Sequence, residues 1–288
     1  MTGIRPAVLI PTVETPDVTV VVATRNRRDR LMETLPRHAA PVILVDNGSD
    51  DGGPDAVADA FPHVTVIRLG ENRGAAARNV GVELARTPYV AFADDDSYWA
   101  PGSLRQAAKL MRTHDRVGLL AAQVLVGAEA RLDPTSASMA AAPLGVPADA
   151  PGPSVLGFLA CAVVVRREAF LAVGGFERVL HVYGEEALLA MDLAAAGWRL
   201  SYAPALTVRH LPQPAGRNAG ARCRVEARNR VLTAMLRRPP RVVARVAADA
   251  WRSSGAGVAD AARLLPWALR HRRPLPPDVE AALSVLES

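Results

Sequence analysis

The feature that most constrains this chain is a series of short apolar runs that do not alternate with polar residues. They fall at 18–23, 42–45, 64–69, 89–93 and 117–126. A strand that is apolar on both faces must be covered on both faces, as in a parallel sheet flanked by helices. The intervening segments have helical spacing. These are 28–38, with Leu31, Met32 and Leu35, then 56–61, the Ala-rich 74–85, and 102–112, where Pro101 is expected at the first helical position. The chain therefore reads as α/β, with a mostly parallel sheet flanked by helices. Ligands of such sheets sit beyond the carboxyl ends of the strands. The residues there are Thr24-Arg25-Asn26, Asp46-Asn47 and Asp94-Asp95-Asp96, which are expected to converge on one rim.

Further along, 127–153 is rich in Ala, Pro and Gly and reads as a long loop of the kind that forms lids or binding loops. A buried strand is expected at 158–165, a helix at 168–173, a turn at Gly174-Gly175, and a helix at 185–196 capped by Gly197. Short strands are expected at 199–203 and 206–208. From 222 onward the pattern is helical, broken at Pro239-Pro240, 253–257 and 274–277. The expected division is an N-terminal tail (1–17), a catalytic domain (18–210) and a helical C-terminal extension (211–288).

Composition excludes several classes. With 288 residues, 50% hydrophobic and 22% charged, the chain is globular rather than disordered. No apolar run approaches the ~20 residues of a membrane helix, and the first 17 residues lack the apolar stretch of a signal peptide. Two cysteines make neither a disulfide framework nor a zinc site, so a reducing cytoplasm is the expected setting. The net charge of +5 is unevenly spread. Residues 1–208 hold 19 Lys+Arg against 23 Asp+Glu, whereas 209–288 hold 15 against 6. Arg clusters without interleaved aromatics argue against single-stranded nucleic acid. Trp251, Leu264, Leu265, Trp267 and Leu269 among the arginines allow either an amphipathic surface on an anionic membrane or a face packed on the catalytic domain. The expected localisation is cytoplasmic, with the inner face of the membrane as a candidate peripheral site.

Four motifs carry chemistry. Three adjacent carboxylates at a buried strand end repel one another, and a divalent cation with oxygen ligands, Mg²⁺ or Mn²⁺, removes that repulsion. Asp94 and Asp96 would point the same way in an extended chain, and the alternative is an acidic cap for the next helix. Asp46 can accept hydrogen bonds from a base or ribose or simply close an Asx-turn with Asn47-Gly48. Gly74 opens a helix whose amino end favours anions, with Arg73 and Arg78 beside it, or it opens an ordinary capped helix. Glu185 and Glu186 begin a helix, either as a general base or as partners of its dipole. His210, after a strand, is a candidate ligand or a structural histidine.

In this order and spacing the segments VTVVVATRNRRDRL (18–31), VILVDNGSDDG (42–52), ENRGAAARNVGVELA (71–85), YVAFADDDSYWAPGSL (89–104), VVVRREAFLAVGGF (163–176) and YGEEALLAMDLAAAGWRLSYAPALTVRH (183–210) resemble the family 2 glycosyltransferases. The resemblance implies a GT-A fold, which is a Rossmann-like nucleotide-diphospho-sugar transferase sheet. It also implies a UDP-, dTDP- or GDP-linked sugar donor, Mn²⁺ or Mg²⁺, a hydroxyl acceptor, and inverting transfer of the hexosyltransferase type. By it, Thr24, Arg25, Asn26 and Arg27 line the nucleobase pocket, with Asp46 and Asn47 beside them. Arg73, Arg78 and Asn79 hold the nucleotide. Asp94-x-Asp96 matches the family's DxD motif. Asp94 and Asp95 serve the ribose and metal shell, Asp96 ligates the metal, and His210 stands where some members place a further ligand. Glu186 stands where the family has the Asp of its Glu-Asp motif, the base, with Glu185 as the other candidate. Leu188 replaces a second acidic position, which Asp192 would partly supply one turn on. Two other readings are a non-catalytic nucleotide-sugar-binding relic and a sugar nucleotidyltransferase. The latter needs glycines that Thr24–Arg27 lacks.

Overall fold

The structure, a computed structural model, describes residues 15–212 and 219–288. Positions 1–14 of the expected N-terminal tail and 213–218 of the expected extension lie outside the described residues. The first half is built from β1 (Val18–Thr24), α1 (Arg28–Thr34), β2 (Val42–Asp46), α2 (Gly53–Ala60), β3 (Thr65–Arg68), α3 (Ala77–Leu84), β4 (Tyr89–Asp94), β5 (Ser97–Trp99), α4 (Ser103–Thr113) and β6 (Val117–Val126). Then come β7 (Arg131–Leu132), α5 (Pro134–Ala140), β8 (Val163–Arg166), α6 (Arg167–Ala172), α7 (Glu185–Ala195) and β9 (Arg199–His210). The helices α8 (Ala219–Arg237), α9 (Pro240–Arg263), α10 (Leu265–Arg270) and α11 (Pro277–Leu286) complete the chain.

One sheet runs β3-β2-β1-β4-β8-β6-β9-β5, with β7 hung on β6. β1 is parallel to β2 and β4, and β6 to β9, whereas β8 is antiparallel to both β4 and β6. Successive side chains of a strand face opposite ways, and β1 buries both sides. Val18, Val20 and Val22 enter one core cluster and Val21 the other. This is why the run is uniformly apolar. Register carries the strand ends to one rim, with Thr24 opposite Asp46 and Ala23 opposite Asp94.

The structure corrects four element readings. Helix α4 starts at Ser103 after a left-handed Gly102 (φ 79), so Pro101 precedes the cap and is not the first helical residue. The stretch 127–153 is not a structureless loop. It contains β7 and α5, whose first turn Asp133 caps by accepting from Thr135 N at 2.7 Å. At 158–165 only the β-branched end is strand, while the small residues Ala160–Ala162 form a 3₁₀ turn. The two strands expected at 199–208 are one, β9. Its ladder with β6 shifts register between Ala122/Ala203 and Gln123/Thr207, around Pro204, which has no N–H to donate.

The C-terminal helices pack onto α7. Leu180 and Leu188 join Ala227, Val231, Leu232 and Leu236 of α8 in a third apolar cluster, with Ala250, Ala261 and Ala268 behind them. Leu188 is 3% exposed. The helix position that would carry a second acid in the resembling family is here sealed by the extension, and a carboxylate there would be buried without a partner. Asp192 does not replace it. The Asp192 carboxylate takes two hydrogen bonds from Arg237, at 2.5 and 2.9 Å, in a largely buried pair. Other arginines of the extension pair within it, Arg238 with Glu280 and Glu287 in a buried cluster and the half-exposed Arg224 with Asp260. Of these, Arg237 is the one that pairs with the catalytic domain. Among the described residues no helix is long and apolar enough to cross a membrane. Leu188→Asp is expected to cost about 3–5 kcal/mol of stability, while Leu188→Met costs under about 1.5 kcal/mol. Thermal denaturation measures both, and equal melting points would show that the extension does not seal this position.

Candidate active site

The acidic turn after β4 is the centre of the rim. Residues 95 and 96 form a turn rather than extended chain, so the expected alignment of Asp94 with Asp96 does not hold. Each carboxylate has its own partner. Arg78 donates to Asp94, Thr24 Oγ1 donates to Asp95 at 3.1 Å, and His210 Nε2 lies 3.3 Å from Asp96. Arg27 Nε stands 4.0 Å from Asp95. The turn is also tied through its backbone, with Thr34 Oγ1 donating to Asp95 O and Leu211 N to Asp96 O, both at 2.8 Å. His210 arrives by register, since β5 and β9 pair Ser97 opposite His210. Burial and the flanking Asp94 and Asp96 push the Asp95 carboxyl up to about 7. Burial acts the same way on Asp96, but the hydrogen bond and charge of His210 outweigh it and hold that carboxyl low.

The next strand end is organised largely for its own backbone. Asp46 is buried and accepts from Ser49 N, at 3.2 Å, and from Ser49 Oγ, so the Asx-turn alternative describes its present bonding. Asn26, at φ 55, accepts from Asp50 N at 2.9 Å and donates its own N–H to Ser49 Oγ at 2.9 Å. Asn47 is committed at both ends, donating to Gly74 O at 3.1 Å and accepting from Arg73 N at 3.0 Å. Asn79 is likewise clasped to the backbone of Phe176, at 2.9 Å in each direction. These two amides fix loops, each with its amino group and its carbonyl engaged. Arg25 is exposed and Arg73 is half-buried beside Glu71 at 2.7 Å.

The two glutamates reach the rim through a loop that sequence reasoning missed. His181 (φ 64), Tyr183 (φ 67) and Gly184 (φ 93) are left-handed, a costly conformation for residues with a Cβ. Two neighbours hold the loop. On one side His181 O accepts from Ala75 N at 2.7 Å, and Gly74 comes so close that a Cβ there would collide with the His181 backbone. On the other side the buried Asn229 of α8 donates to the carbonyls of Leu180, Val182 and Tyr183 at 2.8, 2.8 and 2.7 Å. The signal for Asn229 was present in the sequence as one amide within an apolar helical stripe, between Ala227 and Val231.

The loop delivers Glu185 and Glu186 near Arg78. Burial depresses the Arg78 guanidinium, but Asp94 and Glu185 outweigh it and hold the proton more firmly. Burial, followed by the neighbouring Glu186, raises the Glu185 carboxyl to about 7, and its Oε2 is buried without a hydrogen-bond partner. Burial also raises Glu186, with the Arg78 charge opposing. The two glutamates differ in surroundings. Both feel Arg78 and Asp94, but Glu186 lines an open cavity of about 510 Å³ between α5, α7 and α11, whereas Glu185 is 5% exposed and does not line it.

No group of three or more His, Cys, Asp or Glu side chains among the described residues is placed to cage a metal ion, because Asp94 of the expected trio is drawn to Arg78. Asp96 and His210 do sit together beside a carboxylate cluster with excess negative charge. This donor set suits a cation that shares its shell with substrate phosphates, the usual arrangement for Mg²⁺.

Comparison with known proteins decides the family. The profile of Glycosyl transferase family 2 matches residues 19–173. The chain belongs to this family. It is 33% identical over 204 residues to the pre-mycofactocin glycosyltransferase of Mycobacterium tuberculosis, covering 67% of this chain and 42% of that one. It is 28% identical over 202 residues to the N-acetylglucosaminyl-diphospho-decaprenol L-rhamnosyltransferase of the same organism, covering 59% and 66%. The chain thus spans less than two thirds of either curated relative. Among solved structures it resembles a Pyrobaculum calidifontis mannosyltransferase in complex with GDP-Man and Mn²⁺ (TM-score 0.58, 24% identity, 96% of this chain and 77% of that one). It also resembles GalNAc-T7 with UDP, GalNAc and Mn²⁺ (TM-score 0.64, 15% identity, 90% and 55%). The fold is GT-A, as the sequence resemblance implied.

Two stability measurements check this geometry. Asn229→Ala removes the donor shared by the carbonyls of Leu180, Val182 and Tyr183 and is expected to cost about 2–4 kcal/mol, read as a lowered melting temperature. Glu185 keeps its proton to about pH 7 when folded but releases it near the ordinary glutamate range when unfolded. The folded state therefore binds the extra proton in between, and stability falls as pH rises from about 4.5 to 7. Calorimetry across that window should show a shallower fall in Glu185→Gln, and parallel curves would remove this role from Glu185.

Proposed function

We propose that this glycosyltransferase moves a sugar from a UDP-, dTDP- or GDP-linked donor to a hydroxyl of a small-molecule, lipid-linked or glycan acceptor, with inversion and with Mn²⁺ or Mg²⁺. One observation carries the reading. A single buried guanidinium, Arg78, is bonded to Asp94 of the acidic turn and feels both glutamates at the head of α7. A carboxylate cluster suited to a metal-bound diphosphate and carboxylates suited to activating a hydroxyl thus share one electrostatic centre. The Mn²⁺ present in the two related structures supports the cation.

In this reading Thr24 to Arg27 and Asp46 face the nucleobase, Arg73 the nucleotide, and Asp94 and Asp95 the ribose and metal shell. Asp96 and His210 hold the metal. Asn47 and Asn79 serve by fixing the backbones of Arg73-Gly74 and Phe176. The bound cation would offset the charge of the departing diphosphate. Glu186 takes the proton of the acceptor hydroxyl, whose oxygen forms the new bond at the anomeric carbon as the bond to the diphosphate breaks on the opposite face. Glu186 is preferred to Glu185 as base because it lines a cavity open to an acceptor. The unbridged Cys161 and Cys223 support a cytoplasmic setting. The third apolar cluster supports packing of the extension on the catalytic domain, while Trp251, Leu265 and Leu269 stay exposed and keep a peripheral membrane contact in the reading; nucleic acid has no part in it.

A thermal-shift panel of nucleotide sugars with Mn²⁺ or Mg²⁺ tests the donor. One donor is expected to stabilise the protein only with metal, and Asp96→Ala to lose both that shift and turnover. Glu186→Gln should retain donor binding and lose about 10²–10⁴-fold in transfer. In the parent protein kcat/KM should climb with pH until the Glu186 carboxyl, raised by burial, has lost its proton. Unchanged transfer in Glu186→Gln would move the base to Glu185. Donor binding with no release of nucleoside diphosphate from any acceptor would identify a binding protein.

A further inference from the structure

We propose that the acceptor carries its hydroxyl on an apolar body and that this body seats in the cavity whose wall contains Glu186. The inference rests on the reading of Glu186 as the base. The cavity, about 510 Å³, lies in the range of small-molecule sites. Four segments of the chain build it. Met139 comes from α5, Leu156 and Phe158 from the segment before β8, Met191 from α7, and Leu283 and Leu286 from α11. All six are apolar, and the sulfur side chains of Met139 and Met191 adapt to varied shapes.

The polar groups of the wall are mostly withheld from a ligand. Ser138 Oγ donates back to Pro134 O at 3.0 Å within its own helix. Glu287 is held by Arg238, at 2.6 Å, and by Arg245. Glu186 makes no ion pair among the described residues, so the polar side chains left to a ligand in this largely apolar wall are its carboxylate and the hydroxyl of Thr135. A bare glycan needs many hydrogen-bond partners and would find few here. An alkyl or aryl body would find a continuous apolar lining that ends on the base. The geometry also gives the extension a task. Arg238, 3% exposed, clamps α11 through both Glu280 and Glu287 and so holds Leu283 and Leu286 in place.

Calorimetric titration of the full chain with n-octyl β-D-glucoside, below its micelle-forming concentration, and with methyl β-D-glucoside tests this. The two probes present the same sugar hydroxyls and differ only in apolar length. The octyl compound is expected to bind at least about tenfold more tightly. Leu286→Glu, at a 38% exposed position, should abolish that advantage with an unchanged melting temperature. Should the variant melt early, Ala142→Glu, on the opposite wall, is read in its place. Equal binding of the two probes, or an octyl advantage that survives in the variant read, overturns the proposal. Absence of metal-dependent donor binding in the parent chain would overturn the catalytic reading without altering the octyl preference, and would take the acceptor role of the cavity with it.

Discussion

A buried guanidinium is the interaction on which the rim depends. Asp94, Asp95 and Asp96 crowd one turn, and Glu185 and Glu186 head a helix nearby, so the rim gathers far more negative charge than an apolar sheet tolerates. Arg78 sits at their centre, 8% exposed, with Asp94 as its direct partner. Its position follows from packing. Helix α3 lies so close to β1 that a Cβ on Gly81 would collide with Val21. That closeness sets Arg78 beneath the strand ends, where the low dielectric makes its charge count on Asp94, Glu185 and Glu186.

The extension belongs to the same construction. It supplies the apolar cover over Leu188, the arginine that engages Asp192, and the amide that staples the left-handed loop before α7. Each contact touches the helix that carries Glu185 and Glu186 or the loop that leads into it. Arg237, 5% exposed, makes the ion pair of this docking with Asp192, while Arg238, 3% exposed, braces the extension internally against Glu280 and Glu287.

The frame of the fold was legible because uniformly apolar strands leave only one arrangement that covers both faces, and register then placed Thr24, Asp46 and Asp94 together. The family motifs located the acidic turn, its histidine and the glutamate helix. Contacts between side chains and distant backbone were not legible. Asn47 and Asn79 carry the same amide whether they face a ligand or clasp a loop, and only the fold shows that both ends of each are occupied. His181 and Tyr183 have no composition cue for a left-handed backbone, which usually falls to glycine or asparagine. Pro101 misled because the helix took its cap from Gly102, and Asp192 because its partner lies in a helix that begins after residue 218.

The cavity beside Glu186 draws its walls from residues near 139, 156, 191 and 283. Of these, α7 also carries the glutamates that face Arg78 and Asp94. A substitution on the inner face of α11 would reshape the cavity without replacing any residue of the acidic turn. The two are written in separate stretches of the chain, one near its end and the other within its first hundred residues.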